Sequence, residues 1–437
     1  MEVVSVRYDQ HDVGALSFDV DLGVAAFEYS PAFIATGIEL SPLKMPLSRR
    51  IYSFPELDYQ TFKGLPGLIA DSLPDDFGNS VLNAWSARMG RSPDLITPLQ
   101  RLQYTGKRGM GALEFSPATQ LKSMNASQQL EIQSLVLIAQ DILNLRHDFS
   151  LDLPRHGAAD KEGMMALLSV GMSAGGARPK AVLAFNQDFT QVRSGQTNTP
   201  AGFEHYLVKF DGVSEHNQDR ETFGDPLGYG VMEYTYYQVA IACGIDMAPC
   251  RLLNEGDRRH FIAKRFDRIG NNKVHVQTLN GLAHVDYKQP GSFSYEELLG
   301  IARQLKLSAR SAEQIFRRMV FNIVARNCDD HAKNFAFMHD DNHSWQLAPA
   351  YDVAYSYKPG SSWVNNHWMS LNGKRDDFTR KDFYSLEALS PLFSRVKVNA
   401  IIDEVIAVVS GWRQRAEGNS VPLQLLNTVE QHLRLGF

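Results

Sequence analysis

Between residues 312 and 335 the chain changes character within a turn. Ile315, Phe316, Met319, Val320, Ile323 and Val324 recur at i, i+1, i+4, i+5, i+8 and i+9, the spacing of one apolar stripe on a helix. The spacing predicts an amphipathic helix over 312–327. It ends in a polar cluster, Asn327-Cys328-Asp329-Asp330-His331-Ala332-Lys333-Asn334-Phe335. A helix that buries one face is fixed against its neighbours, so the loop at its end is carried to a defined place. After a gap of hairpin size, a short apolar run leads to Tyr351-Asp352-Val353.

An Asp, an Asn five residues on, and a second Asp beyond a hairpin form the set that protein-kinase-type phosphoryl transfer requires. Asp329 would orient or deprotonate an incoming hydroxyl. Asn334 and Asp352 would hold magnesium, whose preference for oxygen ligands they satisfy. Taken alone, the loop also reads as a solvated helix C-terminus and turn. A metal hydrolase built on Asp330-His331 would need further histidines at helical spacing, and His343 and His367 do not supply an obvious set. A Cys328-x-x-His331 zinc pair lacks a second pair.

The 437 residues allow two or three domains at roughly 150 residues each. With 44% hydrophobic and 21% charged residues the chain can bury a normal core. A net charge of −5 argues against a chain that coats nucleic acid. Cys243, Cys250 and Cys328 are odd in number and lack metal-type spacing, which fits a reduced, cytoplasmic setting. The first residues alternate like a strand and do not read as a signal peptide. No apolar run approaches the length of a membrane span.

Short strands are expected in the first fifty or so residues, around Val4 and Val6 and over 14–18 and 25–29, with a strand at 112–115. Helices are expected within 66–100 and over 127–147. From 167 the order is strand, glycine turn, strand (180–185), strand (206–210), helix (231–243) and a further strand and turn (261–267), the order of a kinase small lobe. The tail from 397 onward is again helical. The glycine turn, Gly171 to Lys180, contains Ser173, Ala174, Gly175 and Gly176, whose backbone N–H groups could cradle phosphate. It is neither a Walker nor a dinucleotide-binding motif, and a Gly-Gly pair between strands is often only a turn. Lys209 lies inside an apolar strand, either snorkelling at an edge or held inward by an acid such as Glu233. Phe266 is either a core residue or a cover for adenine, with the backbone of 264–266 as hinge.

Together these residues resemble the HipA family of serine/threonine kinases, the toxin halves of bacterial toxin–antitoxin pairs. The family's Asp-Gly/Asp-His-x-Lys-Asn loop is matched by residues 329–334, its Tyr/Phe-Tyr-Asp motif by Ala350-Tyr351-Asp352, and its hinge by Lys264-Arg265-Phe266-Asp267-Arg268. Its Asn-Glu-Tyr helix is matched by Met232-Glu233-Tyr234, with the Asn replaced, and its Leu-Leu-Pro-Asp-Ser element by Ser72-Leu73-Pro74-Asp75-Asp76. The resemblance covers residues from about 10 to 430.

It implies an α+β, protein-kinase-like two-lobed fold. Residues 1–150 would be an N-terminal subdomain, β-rich at its start, 160–270 a small lobe with the glycine loop and hinge, and 271–437 a mostly helical large lobe. It implies ATP and Mg2+ as cofactors. The nucleotide would be held by Ser173, Ala174, Gly175, Gly176, Lys180, Lys209, Glu233, Lys264, Phe266, His331 and Lys333, with Asp329 catalytic and Asn334 and Asp352 on the metal. The acceptor would be a serine or threonine of a protein, with aminoacyl-tRNA synthetases among the family's acceptors. Ser173 would be autophosphorylated, silencing the enzyme. A small helix-turn-helix antitoxin would be the partner, and would supply any DNA contact. Where a family pattern has Gln-Glu after the glycines, this chain has Arg178-Pro179, which adds a positive charge and stiffens the loop exit. Two other readings stand beside this one: a small-molecule phosphotransferase of similar fold, and a component of a DNA-bound repressor complex.

Overall fold

The computed structural model describes residues 2–118, 131–145, 178–214, 224–225 and 227–436. The expected strand at 167–170 and most of the glycine turn, including Ser173, Ala174, Gly175 and Gly176, lie outside the described residues. The chain divides into two compact units. The first is Met1–Leu40, Met45–Gly230 and Cys250–His275; the second is Ser41–Lys44, Val231–Pro249 and Val276–Phe437.

The first unit opens with the expected antiparallel strands β1 (Glu2–Tyr8), β2 (His11–Asp19) and β3 (Val24–Tyr29), joined by β4 (Leu113–Ser116) in the order β3-β2-β1-β4. Val4, Val6 and Tyr8 alternate onto the buried face, as period-two patterning requires. Gly14 lets β2 and β3 close, because a Cβ there would stand 2.1 Å from the Glu28 carbonyl oxygen. Pro74-Asp75 starts helix α1 (Asp76–Arg88), with the Asp75 carboxylate accepting the Gly78 N–H at 2.6 Å. Helix α2 (Pro98–Thr105) begins on a capping box of Thr97 and Gln100. Helix α3 (Ile132–Leu145) falls inside the expected 127–147 segment.

A second sheet lies in the same unit. Strands β5 (Lys180–Asn186), β6 (Val192–Ser194), β7 (Phe203–Lys209), β8 (Cys250–Glu255) and β9 (Arg258–Lys264) run antiparallel in the order β8-β9-β7-β5-β6. Phe77, Val81 and Trp85 of α1 and Leu135, Val136 and Ala139 of α3 share one core with this sheet. Within the strand and turn expected over 261–267, β9 runs to Lys264 and Phe266-Asp267 form the turn, while the strand begins earlier, at Arg258, because Gly256-Asp257 turns it back onto β8 as a hairpin.

The second unit is mostly helical. Helix α4 (Tyr229–Ala242) enters it, and α5 (Tyr295–Gln304), α6 (Ala309–Val324) and α7 (Arg395–Val409) follow. Shorter helices span Trp412–Gly418 and Leu423–His432. A small sheet of β10 (Val276–Thr278), β11 (Ala336–His339) and β12 (Trp345–Leu347) carries the hairpin between Asn334 and Asp352. Among the described residues no helix is long and apolar enough to cross a membrane.

Candidate active site

Helix α6 begins on a Ser308 cap and buries the stripe from Ile315 to Val324. Arg326 then adopts φ +56° and turns the chain out of the helix. Two backbone bonds pin the exit, from Cys328 N–H to Ser356 O (3.0 Å) and from Ser356 N–H to Arg326 O (3.1 Å). The loop closes on itself where the Asn334 side-chain amide donates to the Asp329 carbonyl (2.7 Å), and Tyr351 Oη donates to Lys333 O (2.6 Å). On the far side of the hairpin, Arg318 donates to Ala348 O at 2.8 Å and Ala350 N–H to Asp246 O at 2.8 Å. Asp352 follows in the left-handed region at φ +56°, where aspartate is among the few residues tolerated. Asn334 and Asp352 thus come to line one cavity of about 20 Å³, which they share with Asn327 and Asp330.

That donor set fits magnesium. An amide and a carboxylate are hard oxygen ligands, and Mg2+ takes only one or two protein groups while keeping water and substrate oxygens. Among the described residues no three or more His, Cys, Asp or Glu side chains gather as a metal-binding group, and Cys328 Sγ faces His367 Nε2 at 3.7 Å.

Asp329 and Asp330 are neighbours with opposite environments. The Asp329 side chain is 29% exposed; its Oδ1 accepts the Trp363 indole N–H at 2.7 Å and lies 3.6 Å from His331 Nε2. Asp330 is fully buried and saturated. It accepts from Tyr295 Oη (2.7 Å), His367 Nδ1 (2.9 Å) and the Trp368 backbone N–H (2.7 Å). Burial pulls the His367 pKa down, but the Cys328 sulfur and the Asp330 carboxylate outweigh it and raise it to about 10. Burial, and then Asp330, push the Tyr295 hydroxyl well above its usual range. His331 and Lys333 both pack on Tyr287, at 5.2 Å between rings and 4.6 Å from ammonium to ring.

The remaining expected residues among those described sit in the first unit, apart from Glu233, which is buried on α4 in the second. Lys180 and Lys209 are direct cross-strand partners on β5 and β7 and both are buried, so two ammonium groups are brought to one face of the sheet. Asp75 Oδ2 lies 3.9 Å from Lys180 Nζ. Just past Lys209, the Asp211 carboxylate accepts the backbone N–H groups of Gly228, Gly230 and Arg259. Arg178 rests over the Tyr229 ring, 5.9 Å from its centroid.

In the hinge stretch, Lys264 pairs with Glu204 and Phe266 is half-buried. The Arg265 backbone N–H is already given to His205 O (2.9 Å), so an adenine would have to read other backbone groups of 264–266. Asp267 is fully buried between Arg265 and Arg268 and also accepts the Gly111 N–H at 2.8 Å. Burial would raise its pKa, but the two guanidinium groups hold it well below the usual carboxylate range.

Sequence reasoning missed Trp363, Trp368, Tyr295 and the role of His367, and gave Asp211 no part. Only Tyr295 left a local signal, the Ser294-x-x-Glu297 capping box that starts its helix.

The architecture has a solved counterpart. A chain of the Shewanella oneidensis toxin–antitoxin complex of HipA, HipB and operator DNA superposes with a TM-score of 0.66, covering 98% of this chain and 95% of that one at 15% identity. The sequence pattern of the HipA N-terminal domain matches residues 4–116, and that of the HipA-like C-terminal domain matches 172–412. The chain belongs to the HipA family. Among its relatives, Putative kinase Y4mE of Sinorhizobium fredii is 26% identical over 81% of this chain and 77% of its own length. Putative kinase Y4dM of the same organism is 21% identical over 51% of this chain and 54% of its own length.

Proposed function

We propose that this chain is an ATP-dependent protein serine/threonine kinase, the growth-inhibiting half of a toxin–antitoxin pair. One observation carries the reading: Asp329, partly exposed, shares a pinned loop with Asn334, which lines a cavity with Asp352. Asp329 would take the proton of the acceptor hydroxyl as its oxygen bonds to the γ-phosphorus and the bond to the β-phosphate oxygen breaks. Asn334 and Asp352 would hold magnesium, which neutralises charge on the phosphates. The cross-strand ammonium groups of Lys180 and Lys209 suit the nucleotide's phosphates.

We assign residues 1–150 to an N-terminal subdomain that docks a protein, 160–270 to the nucleotide lobe and 271–437 to the catalytic lobe. The acceptor would be a protein in the cytoplasm, with an aminoacyl-tRNA synthetase as the leading candidate. Autophosphorylation of Ser173 would silence the enzyme, and a small helix-turn-helix antitoxin would bring it to DNA. The names of the relatives and the HipA–HipB–DNA counterpart support this reading.

The test is transfer of label from γ-labelled MgATP. Wild type should label itself at Ser173 and modify a protein in a phosphoproteome comparison, and Asp329→Asn should lose roughly 10²–10⁴ of the rate while melting at the wild-type temperature. Equal transfer by the two proteins would refute the kinase assignment.

A further inference from the structure

The Asp329 carboxylate is attached through a torsion with broad, nearly two-fold freedom, so something must decide which oxygen meets the acceptor. Trp363 Nε1 donates to Oδ1 at 2.7 Å. An indole N–H is a donor only; it can hold the carboxylate but cannot take part in moving the proton.

The indole is itself held in place. Its ring packs on Trp368 with centroids 4.1 Å apart, and Trp368 Nε1 donates to the Trp363 carbonyl at 2.8 Å. Ser361 Oγ accepts the Trp363 and Val364 backbone N–H groups at 3.1 and 3.2 Å. Trp368 is buried, and its backbone N–H ends on Asp330 Oδ1 at 2.7 Å. The other oxygen of Asp330 is taken by Tyr295 and His367. His331 lies against both indoles at 6.1 Å. A chain of contacts therefore runs from a saturated, buried carboxylate to a partly exposed one, through two tryptophans.

We infer that Trp363 is a positioning residue that occupies Oδ1 of Asp329 and turns Oδ2 toward the acceptor hydroxyl, with Asp330 fixing Trp363 through Trp368. The adjacent aspartates then work in series, Asp330 as anchor and Asp329 as base. This rests on the kinase reading above. With 36% of its surface exposed, Trp363 can be changed without opening the core.

The experiment compares wild type, Trp363→Phe and Trp363→Leu, using γ-labelled MgATP with the chain itself and casein as acceptors. Phe keeps the ring and removes the N–H. Trp363→Phe should lower the rate at saturating MgATP about ten- to hundredfold, the range for one hydrogen bond to a charged group, with half-saturating MgATP unchanged. Trp363→Leu should lose a similar factor. Adding Trp363→Phe to Asp329→Asn should cost nothing more, because the tryptophan acts only through that carboxylate. A wild-type rate in Trp363→Phe, a loss confined to Trp363→Leu, or an undiminished further loss in the double variant would each overturn the inference and leave the kinase reading standing. No label on either acceptor with wild type would instead remove the kinase reading, and the inference with it.

Discussion

His367 Nδ1 lies 2.9 Å from Oδ2 of Asp330, and both side chains are fully buried. Removing one partner of a buried, hydrogen-bonded pair strands the other in a medium that solvates it poorly. Asp330→Ala should therefore cost about 3–5 kcal/mol, because His367, Tyr295 and the Trp368 N–H all lose their acceptor at once. The urea midpoint of the variant, set beside that of a surface control such as Asp341→Ala, measures this. Equal midpoints would mean that water replaces the carboxylate at no cost.

The same pair gives stability a pH dependence. The folded His367 pKa is raised, to about 10, above its unfolded value near ~6.5. Its contribution is therefore fully present below about pH 6.5 and is lost as pH rises through 10. Wild-type midpoints should decline across that window more steeply than those of His367→Gln. Parallel profiles for the two proteins would show that the ring is neutral in the fold.

Asp267 titrates with the opposite sign. Its pKa is held down by Arg265 and Arg268, so its contribution is present above the unfolded value of about 3.9 and is lost as pH falls through the folded one. At neutral pH, Asp267→Ala should cost about 3–5 kcal/mol, since two buried guanidinium groups are left facing each other. The Gly111 N–H loses its acceptor as well, so amide exchange in the 109–111 turn should speed up more than exchange in β1. Unchanged protection there would place the cost elsewhere.

What was legible in the sequence is what is local. Helix α6 showed itself through its 3.6-residue period, the loop through a dense run of polar types, and the hairpin through the length of chain between Asn334 and Asp352. Strand β8 was hidden because Cys250 to Glu255 has no clear alternation, and its half-buried pattern comes from pairing with β9. The anchor of the 327–335 loop was hidden for a stronger reason. Asp330 meets Tyr295, His367 and Trp368 across 35 to 38 residues, and no periodicity records such a contact. His367 drew notice only as a candidate metal ligand, whereas the fold makes it the counter-ion of Asp330.

Lys180 and Lys209 provide the last prediction. They stand directly opposed on β5 and β7 and both are buried, with Asp75 3.9 Å from Lys180. Two ammonium groups on one face of the sheet offer a polyanion charge-assisted contacts. Lys209→Met keeps the length and apolar stem of the side chain and removes the charge. Saturating MgATP should raise the wild-type melting temperature, in line with about 2.7 kcal/mol at a hundred times Kd, and should raise that of the variant much less. Half-saturating MgATP in the transfer assay should rise about ten- to a hundredfold, as expected for losing one charge-assisted contact. A variant that melts far lower without nucleotide and is stabilised normally by MgATP would make Lys209 a structural residue of β7.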